Sequence, residues 1–438
     1  MPPVTPSERP LVLAYYLPQY HPVPENDAWW GRGFTEWTNV VQARPLFEGH
    51  YQPHVPGDLG FYDLRLPEVR ARQAHLAQAH GIDGFVYYHY WFGGRRILDR
   101  PFDEVRRSGH PSMPFALCWA NENWTRTWDA GEQEILLEQS YGPAERAAHV
   151  EYLVDAFADE RYLRVDGRPL FAIYRIGSLP DAEGFVVALR KATITAGVGD
   201  PWVVKFDTHG NFDDPATTGC DAAAQFFPPH GIVEVGLEHV RLPLGDPANR
   251  VLPYDTMVDV LLRQPAPDWT RYECVAPGWD NTPRRGDGRS MVVHGSTPEA
   301  YELWLRHALE RAPRRTPGQP IVFINAWNEW AEGAHLEPDL QWGDAYLRAT
   351  ARAALGAEPA ASELPAAPAD LPPTAPFEEL YAELYDRFVA LQRQLSAVDL
   401  AAQRRLEHTV GPLEAQLREQ QELAARLAER LSRRLDPD

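Results

Sequence analysis

Cysteine is nearly absent from this chain. The three thiols in 438 residues, Cys118, Cys220 and Cys274, each fall inside an apolar run, and none has a close partner in sequence. That excludes a disulfide framework and suits buried thiols in a reducing compartment. Lysine is scarcer still, with only Lys191 and Lys205 among 42 basic residues. Positive charge as a whole is in deficit: 42 Lys and Arg face 62 Asp and Glu, a formal charge of −20. This is the wrong sign for holding a phosphate backbone or an anionic membrane, so nucleic acid is not an expected partner. No membrane span is expected either, because the longest apolar run near the start, LVLAYYLP, is far short of the roughly 20 residues a spanning helix needs. The opening MPPVTPSERP has no basic stretch leading into an apolar one, so no secretory signal is read and a cytoplasmic location is expected.

Tryptophan, by contrast, is plentiful, with 14 residues. From residue 10 to about 355, short apolar runs rich in β-branched and aromatic residues alternate with stretches of helical period. Eight runs read as strands: 11–18, 84–91, 114–120, 170–175, 202–206, 222–227, 273–279 and 321–327. Helices are expected between them, after residue 65 and near 143–160, 181–197, 253–264 and 297–312. Eight buried strands, each followed by a helix or long loop, predict an α/β fold of the (β/α)8 TIM-barrel type over residues 11–355, after a short extension at 1–10. An open doubly wound sheet fits less well, since no glycine-rich phosphate loop follows the first strand.

Residues 356–376 are rich in Pro and Ala and read as an extended linker. Over 377–438 apolar residues recur three or four apart, from Leu384 and Phe388 to Leu427 and Leu431, with Pro412 interrupting. This predicts a helical, coiled-coil-like tail for self-association or for pairing with a partner helix, the alternative being a solvated helix docked on its own barrel.

In a barrel the working groups stand at the carboxyl ends of the strands. The residues found there alternate aromatic rings with amides and carboxylates: Tyr16 and Gln19, with Trp37 in the following loop; His89, Tyr90 and Trp91; Trp119, Asn121, Glu122 and Trp124; Lys205; Trp279; and Asn328, Glu329, Trp330 and Glu332. Sugar C–H faces pack on aromatics and sugar hydroxyls need fixed polar partners, so such a rim predicts a carbohydrate cleft. Any one of these aromatics, taken singly, is more often core than platform. Two clusters carry carboxylates suited to acid–base work, W-A-N-E-N-W around Glu122 and W-N-E-W-A-E-G around Glu329 and Glu332. Lys205 fits a substrate contact or an ordinary ion pair equally well. No metal is expected, because His21, His54 and His89 show no H-x-x-x-H or H-x-H spacing among themselves and no cysteine joins them. A serine nucleophile is not indicated, as no G-x-S-x-G occurs.

The stretch W-N-E-W-A-E-G-A-H-L-E-P at 327–338 resembles the carboxyl-terminal motif of glycoside hydrolase family 99 and, more closely, the related bacterial WbsX-like group. AYYLPQYHPVPENDAWWGRGFTEWTNV, HYQPHVPGDLGFYD, GIDGFVYYHYWF and LCWANENWTRTWD look like the same group. The resemblance implies a retaining, endo-acting hydrolase of α-mannosidic bonds that uses neither metal nor cofactor. Glu329 would deprotonate the substrate's 2-hydroxyl, which displaces the leaving group to give a 1,2-anhydro sugar, and Glu332 would protonate the leaving oxygen. The competing assignment pairs Glu122 with Glu329 as a conventional acid and nucleophile. Members of the WbsX-like group resemble proteins of surface-polysaccharide gene clusters and have been labelled glycosyltransferases, so transfer in O-antigen or surface-polysaccharide assembly is the second reading. A non-catalytic glycan-binding protein is the third.

Overall fold

A computed structural model describes residues 9–126, 131–228, 242–312 and 320–359. Eight strands form its centre: β1 Leu11–Tyr16, β2 Gly84–Phe92, β3 Phe115–Trp119, β4 Arg168–Ile173, β5 Trp202–Phe206, β6 Ala222–Ala224, β7 Arg271–Val275 and β8 Ile321–Ile324. Each pairs in parallel with the next. The ring closes where β8 lies beside β1, with Leu11 opposite Ile321 and Ala14 opposite Ile324. The barrel expected from the eight apolar runs is formed. Its strands read as nearly unbroken apolar runs because helices cover the outside while side chains fill the inside, leaving neither face to water.

Helices Pro67–Ala79, Arg100–Ser108, Pro143–Phe157, Ala182–Thr195, Tyr254–Arg263, Pro298–Arg311 and Ala345–Leu355 follow β1, β2, β3, β4, β6, β7 and β8. Pro67, Pro143 and Pro298 open three of them, where a missing N–H costs nothing. Asp181 and Thr297 cap two by accepting from the amides of Gly184 and Ala300. Between β5 and β6 the described residues contain only the 3-10 turn Pro215–Thr218.

Aromatic rings fill the barrel's interior. Tyr15 stacks on Phe323 with centroids 5.4 Å apart and meets Phe206 at 5.2 Å and Phe226 at 5.9 Å. This plug closes the barrel beneath the carboxyl ends of the strands, so a ligand can enter only from the loop side. The expected linker at 356–376, from residue 360 onward, and the tail at 377–438 that is expected to be helical lie outside the described residues. Among those described, no helix is long and apolar enough to cross a membrane.

Candidate active site

The loops after the strands enclose a cleft of about 1480 Å³. Tyr88, Tyr174, Phe226, Trp30, Trp124 and Trp279 are among the aromatic residues that line it. Trp124 begins a short hairpin in which it pairs with Leu137, and its ring meets Tyr90 at 5.3 Å. Among the lining groups Gln19 Nε2, Gln139 Oε1 and Trp279 Nε1 are buried with no protein hydrogen-bond partner. Unmatched donors and acceptors beside aromatic faces suit a polyhydroxyl ligand.

Glu329 and Glu332 lie at one wall of the cleft. After β8 the chain makes a small hairpin, with Asn328 opposite His335 and Glu329 opposite Ala334, joined by the 3-10 turn Trp330–Glu332. Residues three apart eclipse in a 3-10 turn, which brings the two carboxylates to the same side. Gly333 ends the turn at φ 59°, and a Cβ there would stand 2.9 Å from Cβ of Asp280, so close an approach admits only glycine.

Arg284 joins the two carboxylates. It sits on the short helix Thr282–Arg285 and donates from Nη1 to Glu332 Oε1 at 2.6 Å, from Nη2 to Glu329 Oε2 at 3.0 Å and from Nε to Glu36 Oε2 at 3.2 Å. Asp280 holds this helix by accepting from the Thr282 amide at 2.9 Å, and His50 Nε2 lies 2.7 Å from its other oxygen. One guanidinium thus faces three glutamates. Burial raises both Glu329 and Glu332 above the usual carboxylate range, with Arg284 opposing and Glu36 adding to the rise; Glu332 adds further at Glu329, which reaches about 8. The pair therefore holds a proton near neutrality, the condition for one member to act as acid while the other acts as base.

Glu122 lines the cleft from β3, where Arg175 Nη1 contacts its Oε1 at 2.8 Å and His209 Nε2 lies 3.8 Å away. Burial raises its pKa as well, and Arg175 opposes the rise. Of the other residues read from the sequence, Gln19, Tyr90, Asn121, Trp124 and Trp279 reach the cleft. Asn121 also clamps the Arg175 backbone at both N and O.

The remaining expected contacts face elsewhere, and alternation along the strands explains most of them. On β1, Tyr15 points into the barrel while Tyr16 points out and donates to Gln73 on the first outer helix at 2.7 Å. On β2, Tyr88 and Tyr90 point in. His89 and Trp91 point out against the helix Pro143–Phe157, with His89 Nε2 3.0 Å from His149 Nε2 and Trp91 stacked on that ring. Trp119 packs there too, against His149 and Phe185. Lys205 is buried, pairing with Asp207 at 3.2 Å and donating to the Asn211 carbonyl at 2.7 Å. Asn328 fastens the exit of β1 by bonding Leu17 at N and O. Trp330 is fully buried, stacked on His335 and donating to Glu337 at 2.6 Å. Trp37 donates to the Tyr62 carbonyl at 2.8 Å and packs on Trp330. These side chains support the walls of the cleft and do not form its surface.

The family model described as Glycosyltransferase WbsX matches residues 12–350. The chain belongs to the WbsX family. It is 40% identical over 357 residues to the uncharacterized protein WxcX of Xanthomonas campestris pv. campestris, strains ATCC 33913 and B100, a match covering 81% of this chain and 51% of WxcX. The chain thus spans about half the length of these curated relatives. Among solved structures, a glycoside hydrolase-like protein superposes with a TM-score of 0.53 at 14% identity, covering 81% of this chain and 96% of the other, which is a likeness of fold. The GH99 endo-alpha-mannosidase of Bacteroides thetaiotaomicron gives a TM-score of 0.47 at 16% identity, covering 78% and 95%.

Neither Arg284, which lines the cleft, nor Glu36, which is buried and accepts from it, is among the site residues expected from the sequence of this WbsX-family barrel. Glu36 is the neighbour of Trp37 in F-T-E-W, and its acidity in an aromatic loop was the available cue. Arg284 had no local cue, since its partners are 45, 48 and 248 residues away. The histidines also assemble in a way that spacing does not show. His54 Nδ1 lies 2.8 Å from His335 Nε2, with Asp339 beside them, behind the hairpin that carries Glu329. Although His50 and His54 are four apart, His50 turns away to Asp280.

Proposed function

We propose that this WbsX-family protein is a retaining glycoside hydrolase that cuts α-linked, manno-configured polysaccharide internally through a 1,2-anhydro sugar. The observation that carries this reading is the pairing of Glu329 and Glu332 on Arg284 at the wall of an aromatic cleft. The cleft volume exceeds the roughly 300–1,000 Å³ of common small-ligand sites and suits several rings of an internal chain segment.

In the first step Glu329 takes the proton of the axial 2-hydroxyl. O2 then forms a bond to C1 as the C1–O bond to the leaving sugar breaks, and Glu332 gives its proton to the departing oxygen. In the second step Glu332 takes a proton from water, the water oxygen bonds to C1, the C1–O2 bond opens, and Glu329 returns its proton to O2. Two inversions leave the anomeric configuration retained. Burial raises both carboxyls, so Glu329 and Glu332 share a proton before substrate binds. A hydroxyl donating to Glu329 favours its ionised form and a glycosidic oxygen accepting from Glu332 favours its protonated form, so binding moves the proton to where the first step needs it. Rhamnose shares the axial 2-hydroxyl and meets the same requirement.

The test incubates purified protein with α-mannan and α-rhamnan polysaccharides and, separately, with nucleotide sugars plus acceptor. Shortened chains with retained anomeric configuration support hydrolysis. Release of nucleotide supports the transferase reading, which the name of the family model favours. Tight binding without turnover, unchanged in Glu329→Gln and Glu332→Gln, identifies a glycan-binding protein.

A further inference from the structure

Behind the catalytic hairpin, three potential ligand atoms converge from two loops. His54 follows β1 by a long connection, and His335 and Asp339 follow β8. His54 Nδ1 stands 2.8 Å from His335 Nε2, Asp339 Oδ2 stands 3.9 Å from the same Nε2, and all three ligand atoms lie within 4.8 Å of one another. The 3.9 Å separation is too long for a hydrogen bond.

The histidines are oriented as metal ligands usually are. His335 Nδ1 is 3.0 Å from the Glu337 carbonyl, an oxygen that can only accept, so the hydrogen resides on Nδ1 and Nε2 presents its lone pair to His54 and Asp339. A backbone carbonyl that fixes the tautomer of a metal-binding imidazole is the standard supporting contact. The Tyr51 ring stacks on His54 with centroids 4.3 Å apart. The Tyr51 hydroxyl is buried with no partner in hydrogen-bond geometry, and the Asp339 carboxylate bears on it.

We propose that His54 Nδ1, His335 Nε2 and Asp339 Oδ2 bind one divalent transition-metal ion, zinc foremost, at a structural site separate from the cleft. Two imidazoles and a carboxylate form a donor set for zinc, with Zn–N and Zn–O distances of about 2.0–2.2 Å and a water completing the shell. Two atoms bound to one such ion can stand at most about 4.2 Å apart. The 2.8 and 3.9 Å separations satisfy this, and a turn of the Asp339 carboxylate by less than about 1 Å brings in the third. The ion would clip the segment around His54 to the strand-8 loop, reinforcing backbone bonds already present from Gly57 N to Pro338 O at 2.7 Å and from Leu340 N to Val55 O at 2.9 Å. His335 also stacks on Trp330, with centroids 3.7 Å apart, so the clip would hold the turn between Glu329 and Glu332 from behind.

The test uses the full chain, stripped with chelator and dialysed, then titrated with Zn(II) by calorimetry and with Co(II) by visible absorption. The expected result is one equivalent bound, d–d bands from Co(II) in a nitrogen and oxygen shell, and a melting midpoint several degrees higher with Zn(II) than with EDTA. His54→Gln and Asp339→Asn should each lower the affinity at least about 100-fold and abolish the zinc-dependent shift. If either variant does not fold, the Co(II) spectrum and stoichiometry of the unaltered chain still decide the matter. Absence of binding to the unaltered chain, or zinc binding of undiminished affinity in both folded variants, overturns the proposal and leaves a plain hydrogen bond between the two rings.

Discussion

Arg284 Nη1 donates to Glu332 Oε1 at 2.6 Å, a shorter contact than the same guanidinium makes to Glu329 or Glu36. The same cation serves Glu329 and Glu36, so three acids gather on one guanidinium in a buried setting, with Arg285 also acting on Glu332. Taking a carboxylate out of water costs several kcal/mol unless it is paired, and one cation cannot pair three. The cluster relieves this by holding a proton, and the first three predictions test what that proton does.

Glu329→Gln and Glu332→Gln should each lower turnover by roughly 10²–10⁴-fold, the range for losing a positioned acid or base. Glu122→Gln should keep most of it, because Glu122 is tied to Arg175 apart from the Arg284 cluster. Glycan cleavage, assayed alongside thermal melts that show intact folding, is the check. Full turnover in Glu329→Gln would sink the assignment, and loss in Glu122→Gln with none in Glu332→Gln would select the conventional pair.

Stability should carry a signature of Glu329. Its carboxyl titrates at about 8 in the folded chain, against about 4.3 when unfolded. Between those values the folded state binds more protons, so this group's contribution is complete below the lower value and declines as pH rises through the higher one. The limiting slope is about 1.4 kcal/mol per pH unit. Denaturant unfolding at pH 5, 6.5 and 8 should show the unaltered chain losing stability relative to Glu329→Gln as pH increases. A constant difference between the two would contradict the shift.

Arg284→Met removes the charge that opposes the rise at Glu329 and Glu332. Both groups should then hold protons to higher pH, and the acid limb of the rate profile should move upward along with a fall in turnover. Arg284→Lys should restore part of the rate, since an ammonium keeps the charge but cannot fork to three carboxylates. A profile unchanged in Arg284→Met would show that the guanidinium does not set the proton balance.

Two adjacent residues of β2 separate site from scaffold. Tyr90→Ala should weaken glycan binding, read as a higher KM, because its ring lines the cleft. His89→Ala should leave KM near normal and lower stability by about 1–3 kcal/mol, because its ring is packed against His149 and Tyr152. Equal effects on KM from the two would refute the inward and outward assignment.

The alternation on β2 also explains which parts of the site were legible. A run such as G-F-V-Y-Y-H-Y-W-F announces a buried strand, yet both of its faces are covered, so composition cannot say which parity looks into the barrel. Tyr16, His89, Trp91, Trp119 and Lys205 follow the same strand-end pattern as Tyr90 and Trp124, and closure of the barrel places them on the outer side. Glu36 and Trp37 show the same ambiguity on the short helix Glu36–Gln42, where neighbours point in different directions. The ring supports the wall and the carboxylate reaches Arg284.

What the sequence determined by itself was the order of eight apolar runs, which fixes a parallel barrel, and the three-residue spacing of Glu329 and Glu332, which a 3-10 turn converts into a facing pair. What only the tertiary structure decided was the company they keep. Arg284 and Glu36 reach the pair from elsewhere in the chain, and His54 meets His335 across 281 residues. Electrostatic and ligand interactions act over a few ångströms, and such distances between remote residues exist only once the barrel has closed.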